Sequence, residues 1–509
     1  MALLSLAVLI IGAATVLLLL KIGYLAFFHP LAKYPGPFLA KFTSFYAAYH
    51  GWMGDIHLDI WRCHQRYGDH VRYGPNKLLF CTAEALKDIY STGTQSNFVK
   101  ADSYTPLIHR SPNILTIRGG KEHARRRRIM AQGVSEKAQR GYEKRIAVHI
   151  DRLCKIVYSK TEAINISDWC YYLLFDIMSD VVFGARYNLL ENDEFRYVPD
   201  AINKSNVRMS TLFQFPQLAS FKWTKYLFRD AIAARNQFVP FVSRVVKERL
   251  RRQKMISDKK DEVTDVFANL AASEDPETGD TFTDNEIAAE STTLIVAGSD
   301  TTSTALSGLF FYLANNPIAR AKATAEVRAK FSSRNDIIMG AALGSCTYLR
   351  ACVDEAMRMS PPVGVPLWRR VRSDATIDSL VVEAGSDVGM SIYTMHHDPR
   401  YFEEPFEYKP DRWLANDKAI ERARSVFNPF SIGSRACLGK GLAMTELLLT
   451  MATILFHGDF ELAAGDLGKL GRGSRAGPYG RHRENEYQLW DFITGQRRGP
   501  ILQFSSRTV

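Results

Sequence analysis

The sequence predicts a mainly α-helical protein with a minor β-sheet region, set behind a single N-terminal membrane-spanning helix. Three observations carry this. The run ALLSLAVLIIGAATVLLLL (Ala2 to Leu20) has no charge and is long enough to cross a bilayer as a helix. Amphipathic helical periodicity dominates from about residue 83 to 360. Strand-like pieces are few and short, in HVRYGPNKLLFC and between residues 375 and 396.

The elements follow in chain order. The apolar run could be a cleaved signal peptide or an anchor. No basic segment precedes it, and Lys21 and AFFHP follow where a small-residue cleavage site would stand, so it is read as an uncleaved anchor over residues 1–21. Lys21, Lys33 and Lys41 lie downstream and put the body of the protein on the cytosolic side. Tyr34-Pro35-Gly36-Pro37 then reads as a stiff hinge within residues 22–40, ahead of one domain over 41–509. A helix is expected over Ile56 to Tyr67, then a hairpin turned by Gly74-Pro75-Asn76. ATIDSLVVEAG and GMSIYTMH read as strands, and a breaker-rich stretch ends at PFEYKPDRW. Gly465 to Gly480 holds six glycines in sixteen residues and reads as an exposed, mobile loop.

Composition narrows the function classes. A chain of 509 residues with 46% hydrophobic and 23% charged residues is an ordinary folded protein, and a net charge of +11 favours an acidic partner or an anionic membrane face. No zinc-finger spacing or RNA-binding motif accompanies that charge, so no nucleic-acid partner is expected. The seven cysteines are odd in number, scattered and without a CxxC. That excludes a disulfide framework and suits a reducing compartment.

One cysteine stands apart. In PFSIGSRACLGKGLAMTE, Cys437 sits among Gly433, Arg435, Gly439 and Gly441, where an apolar helix begins near Leu438. The helix N-terminus is expected to lower the pKa of the thiol. Gly433 and Gly439 would let backbone approach a flat ligand, Arg435 would pair with an anionic group on it, and Phe430 would cover the sulfur. Haem b held by one thiolate fits this set, with Cys437 on the iron and Arg435 on a propionate. Phe430, Gly433, Arg435, Cys437 and Gly439 match F-x-x-G-x-R-x-C-x-G, and the segment resembles that of the cytochrome P-450 family of haem-thiolate monooxygenases. The resemblance runs over nearly the whole chain and looks fungal and microsomal, similar to benzoate 4-monooxygenase-like and secondary-metabolite oxidases. It implies the cytochrome P-450 fold.

Three further segments carry it. AGSDTTST (Ala297 to Thr304) places small and polar residues inside a helix, which a purely structural helix would gain nothing from. Asp300 beside Thr301 is a carboxylate next to a hydroxyl, a proton relay, and the resemblance to A-G-x-D-T-T implies that the pair delivers protons during oxygen cleavage. Glu355 and Arg358 lie three apart on a helix face, and with Arg412 they match the family's structural Glu-Arg-Arg cluster. In KEHARRRRIM, His123 and Arg127 lie four apart and match the propionate-binding W-x-x-x-R, with histidine for tryptophan. Arg369 matches another propionate contact. Arg125, Arg126 and Arg128 are expected to form, with Lys440, a basic face for an acidic electron-transfer protein.

The substrate-lining set implied by the family comprises the loop 103–115, Ile295, Ala297 and Gly298, and Val363, Val365 and Leu367. The apolar VGVPLW argues for a lipophilic substrate. Phe213, Phe215, Phe221 and Trp223 read either as an entrance dipping into the membrane or as core. The family implies an endoplasmic-reticulum enzyme that draws NADPH electrons through NADPH-cytochrome P-450 reductase, with cytochrome b5 as a further donor, and oxidises a lipophilic small molecule. Rival readings are a haem-thiolate isomerase or dehydratase, a coupling oxidase, or a non-catalytic haem-binding protein.

Overall fold

A 32-residue central helix, Asp284–Asn315, packs against several of the other helices and carries Asp300 and Thr301. Thr283 and Glu286 close a capping box at its start, satisfying N–H groups that would otherwise lack partners. Residues 302–314 of it are buried on every side, among them Leu306, Leu309, Phe310, Phe311 and Leu313, as expected of a helix surrounded by others. The helices Ile166–Phe183, Thr347–Met359 and Lys440–His457 pack along it and share the main core. The structure is a computed structural model and describes residues 2–91, 97–108, 111–256 and 265–507.

The β-structure is small and lies to one side. His70–Gly74 and Lys77–Phe80 form the expected hairpin, and Lys77–Phe80 pairs in parallel with Asp387–Gly389. Arg369–Val371 and Phe98–Lys100 complete a five-stranded sheet. ATIDSLVVEAG forms a separate hairpin, Ala375–Ile377 with Leu380–Val382. The second strand-like piece is corrected: after Asp387–Gly389 the chain turns, and Ile392–His396 is helical, started by Ser391 accepting from the Thr394 amide.

The apolar N-terminus forms one helix, Ala2–Gly23, long and apolar enough to cross a membrane. The hinge after it is fastened down. The buried Arg72 guanidinium donates to the Leu25 carbonyl at 2.8 Å, and the Arg72 amide donates to the Pro35 carbonyl at 2.8 Å. Gly36 lies so close that a Cβ there would stand 2.2 Å from the Arg72 carbonyl oxygen.

The glycine-rich stretch is mostly exposed, as expected, and its backbone is also packed and bonded. Gly473 and Ser474 donate to the carbonyls of Arg483 and Arg481, and Cβ atoms at Gly468 and Gly473 would stand 2.1 and 2.2 Å from backbone oxygens. Its glycines permit close backbone approach. Beyond it, the hairpin Trp490–Phe492/Thr494–Gln496 returns the chain to the central helix.

Two buried carboxyls couple this packing to pH. Burial pushes Asp491 up from 3.8 to about 7 and Glu446 up from 4.5 to about 8. Between about pH 4 and pH 8 the folded chain therefore holds protons that the unfolded chain has released, and stability falls as pH rises through that window. We expect Tm to fall between pH 5 and pH 9. Asp491→Asn and Glu446→Gln should each flatten that slope in thermal melts, and a slope unchanged by both would contradict the assignment.

Candidate active site

Of the seven cysteines only Cys437 is exposed. A short turn, Gly433–Arg435, leads into it, and its amide donates to the Phe430 carbonyl at 2.8 Å. Gly433 has φ +73, and a Cβ there would stand 2.0 Å from the Tyr90 carbonyl oxygen. The fold itself requires this glycine, a different reason from ligand approach. Gly433→Ala is expected to cost roughly 2–4 kcal/mol from backbone strain and overpacking, read as a lower Tm with poor haem incorporation. Gly439 is open apart from the Cys437 sulfur, which a Cβ would meet at 4.0 Å.

The helix Lys440–His457 begins with Gly439 as its cap. Although the residue keeps an exposed surface, the protein packed around the sulfur raises the thiol pKa, and the net direction is upward. The helix-start amides of Gly439 and Lys440 pull it down, as expected, with the Arg127 charge, but less strongly. A metal bound to this sulfur would hold it as the thiolate. Among the described residues no three His, Cys, Asp or Glu are grouped to hold a metal ion. A metal on Cys437 must therefore bring its other ligands with it, as a porphyrin does.

Four cations gather around His123, on the segments next to the cysteine turn, without an ion pair among the described residues. Arg127 donates to the Ala436 carbonyl at 2.7 Å, and Arg435 to those of Ile117 and Arg118 at 3.1 and 3.0 Å. Arg369 is buried over the Tyr90 ring and donates to the Leu367 carbonyl at 3.0 Å. The fourth, Lys100, was missed in the sequence. It lies directly across the sheet from Arg369 and donates to the carbonyls of Ile114 and Leu115 at 2.8 and 2.7 Å.

Like charges facing each other across strands destabilise a sheet, and among the described residues none of these four makes an ion pair. Burial and the neighbouring Arg435 and Arg369 hold the Lys100 ammonium well below its ordinary range. Burial, aided by the same cations, lowers His123 to about 2, so it is neutral. Such a cluster calls for a multiply anionic ligand, and the two propionates of haem fit it.

The triple-arginine surface is corrected. Arg125 pairs with Glu122 and Glu286 at 2.9 and 2.6 Å, and Arg128 with Asp275 at 2.5 Å. Arg126 is buried and bonds Glu122, Glu286 and Glu290. These pairs neutralise the run, because acids distant in sequence fold onto it; Lys440 alone of that set stays exposed and unpaired among the described residues.

On the central helix, Thr301 is half-buried beside the exposed Ala297, to whose carbonyl its hydroxyl donates at 2.7 Å. Asp300 is buried and its carboxylate turns away, toward the C-terminal hairpin. It accepts from the Thr494 hydroxyl and from Asn206 at 3.4 Å, and Arg497 stands 3.6 Å away. Burial raises the Asp300 pKa, with Arg497 opposing. Arg497 also donates to the hydroxyls of Ser303, Thr304 and Ser307 at 2.6, 2.7 and 3.2 Å. The polar residues of AGSDTTST thus have a structural use that the sequence hid, since their partner lies about 190 residues downstream.

The remaining expectations divide. Glu355 meets Arg358 at 2.9 Å and Arg412 at 3.0 Å, and also accepts from Trp413. Val363 and Leu367 are half-buried. Ile295 and Val365 are core residues, 2% and 1% exposed. A Cβ at Gly298 would stand 2.5 Å from the Met178 Cε, the far end of a flexible side chain on the helix Ile166–Phe183. Phe213 is core, packed on Tyr104, whereas Phe221 and Trp223 are both 47% exposed. His109 and Arg110, within the loop 103–115, lie outside the described residues.

Comparison with known proteins agrees with this geometry. The family model described as Cytochrome P450 matches residues 35–468. The chain is 42% identical to "Cytochrome P450 monooxygenase AKT7" of Alternaria alternata, over 96% of this chain and 97% of that protein. It is 44% identical to "Cytochrome P450 monooxygenase poxM" of Penicillium oxalicum, over 94% and 91%. With "Cytochrome P450 monooxygenase atnE" of Emericella nidulans the identity is 41%, over 95% and 93%. Thr494 and Arg497, the partners of Asp300, lie beyond the matched span.

Proposed function

The chain belongs to the cytochrome P450 family, and on that premise we propose that it is a membrane-anchored haem-thiolate monooxygenase of fungal secondary metabolism, with its catalytic domain on the cytosolic face of the endoplasmic reticulum. The observation that carries this is one exposed thiol, Cys437, at a helix start, with a neighbouring cluster of four cations that makes no ion pair among the described residues. Haem bound through Cys437 would supply the oxygen chemistry, in which one O2, two electrons and two protons turn a C–H bond into C–OH and release one water.

The chain's residues do the rest. Arg127, Arg369, Arg435 and Lys100 hold the propionates, and neutral His123 adds an N–H donor. Phe430 shields the sulfur from water. Thr301 holds a hydroxyl at the open face of the central helix, and Asp300 supplies it with protons when its carboxyl leaves the Arg497 side. Ala297, Val363 and Leu367 line an apolar approach, which favours a lipophilic substrate. Glu355, Arg358 and Arg412 are structural.

NADPH-cytochrome P450 reductase delivers the electrons, with cytochrome b5 as a further donor, on the side where Lys440 is exposed. The Asp300–Thr301 pair favours oxygen cleavage over an isomerase or dehydratase. The test uses membranes holding this protein, reductase, NADPH and isotopically labelled O2, with metabolite extract from a host lacking the gene. A compound consumed and returned one labelled oxygen heavier is expected; consumption without label would replace hydroxylation by desaturation, coupling or isomerisation.

A further inference from the structure

Charged side chains hold the segment 112–118 from both sides. Its carbonyls accept from cations: Pro112 from Arg126 at 2.9 Å, Ile114 and Leu115 from Lys100 at 2.8 and 2.7 Å, and Ile117 and Arg118 from Arg435 at 3.1 and 3.0 Å. The Ile114 amide points the other way and donates to Glu290 at 2.9 Å. Within the segment the Asn113 amide donates to the Thr116 hydroxyl, and the Thr116 amide to the Asn113 carbonyl, both at 2.9 Å, which closes a turn. Ile114 is half-buried against the main core and Leu115 is exposed.

Glu290 is fully buried on the central helix, seven residues before Ala297 and eleven before Thr301. Those spacings are about two and three turns, so all three lie on one helix face. Ala297 is exposed and Thr301 half-buried, and the turn 113–116 stands at the Glu290 end of that open face. The two carboxylate oxygens of Glu290 serve two donors: Oε1 accepts from Arg126 at 2.9 Å and Oε2 from Ile114. Arg126 is itself buried and braced by Glu122 and Glu286. Burial raises the Glu290 pKa, with the Ile114 amide and Arg126 opposing it. A side-chain amide of the same shape offers one acceptor oxygen to those two donors. The charged guanidinium takes it, because its hydrogen bond is the stronger, and an NH2 group then faces the Ile114 N–H.

We infer that Glu290 is a positioning residue for substrate size. By fixing the Ile114 amide, while Arg126 fixes Glu290, it sets how closely the turn 113–116 stands over the open face of the central helix. That distance decides the bulk of the molecule the face admits. The inference rests on the haem-thiolate reading and goes beyond it by giving the buried Arg126–Glu290 pair a use in selectivity. Glu290 acts through the turn that carries Ile114 and Leu115.

The test uses the holoprotein, with imidazole and 4-phenylimidazole as small and bulky ligands of haem iron. Amide hydrogen exchange across residues 112–117 reports on the turn. Glu290→Gln keeps the shape of the side chain. It is expected to speed exchange there by about tenfold or more, the scale of a lost hydrogen bond to a charged group. The affinity for 4-phenylimidazole relative to imidazole should rise several-fold, with the reduced carbon monoxide spectrum unchanged. Should this variant take up no haem, Glu290→Asp carries the same expectation, since it keeps both oxygens and draws them back by one methylene. Unchanged exchange, or faster exchange with an unchanged affinity ratio, overturns the inference and leaves Glu290 a structural group. A wild type that lacks the thiolate-type spectrum overturns the haem reading, and the inference with it.

Discussion

Cys437→Ser is expected to abolish the thiolate-type spectrum of the reduced carbon monoxide adduct and to lower turnover by at least about 10²-fold, the scale on which removing one preorganised catalytic group is felt. The fold should survive. Cys437 is exposed and its sulfur lies 4.0 Å from the nearest position a Gly439 Cβ would take, so losing it opens no cavity in the core. The other six cysteines are buried, and burial raises Cys63 and Cys81 above the usual thiol range and takes Cys154, Cys170 and Cys352 to about 12 and Cys346 to about 11. None of them can replace Cys437. A variant that keeps the spectrum would place the axial ligand elsewhere and remove the main support for the proposed function.

The features legible in the sequence were local ones. Cys437 announced itself because a thiol at a helix start, flanked by glycines and an arginine, is a pattern within ten residues. The hairpin His70–Gly74/Lys77–Phe80 was likewise carried by its own turn. What escaped depended on distant partners. Arg126 reads as a surface charge until Glu286 and Glu290, some 160 residues away, close on it. Lys100 gains its meaning only from strand register, which sets it opposite Arg369. Periodicity misassigned Met390–His396 because a short apolar run suits strand and helix alike, and Ser391 decided between them by capping. Glycine content suggested mobility at 465–480, although glycine serves close backbone packing as readily as freedom.

The same distance effect bears on the proposed proton delivery by Asp300, whose partners Thr494 and Arg497 lie far along the chain. Asp300→Asn is expected to lower product formation by about 10²-fold or more, the usual contribution of a positioned acid or base, while NADPH is still consumed and hydrogen peroxide accumulates. Arg497→Met should act through Asp300. Burial alone raises the Asp300 pKa and the guanidinium is the largest opposing influence, so removing it leaves burial unopposed. The limb of the pH–rate profile that reports Asp300 should therefore move to higher pH in Arg497→Met, return toward wild type in Arg497→Lys, and vanish in Asp300→Asn. Lysine restores the charge without the three hydroxyl contacts to Ser303, Thr304 and Ser307, so its rescue separates electrostatics from helix packing. If Arg497→Met gives the wild-type profile with unchanged peroxide release, Arg497 merely braces the central helix. If Asp300→Asn keeps full product per NADPH, protons reach Thr301 by another route.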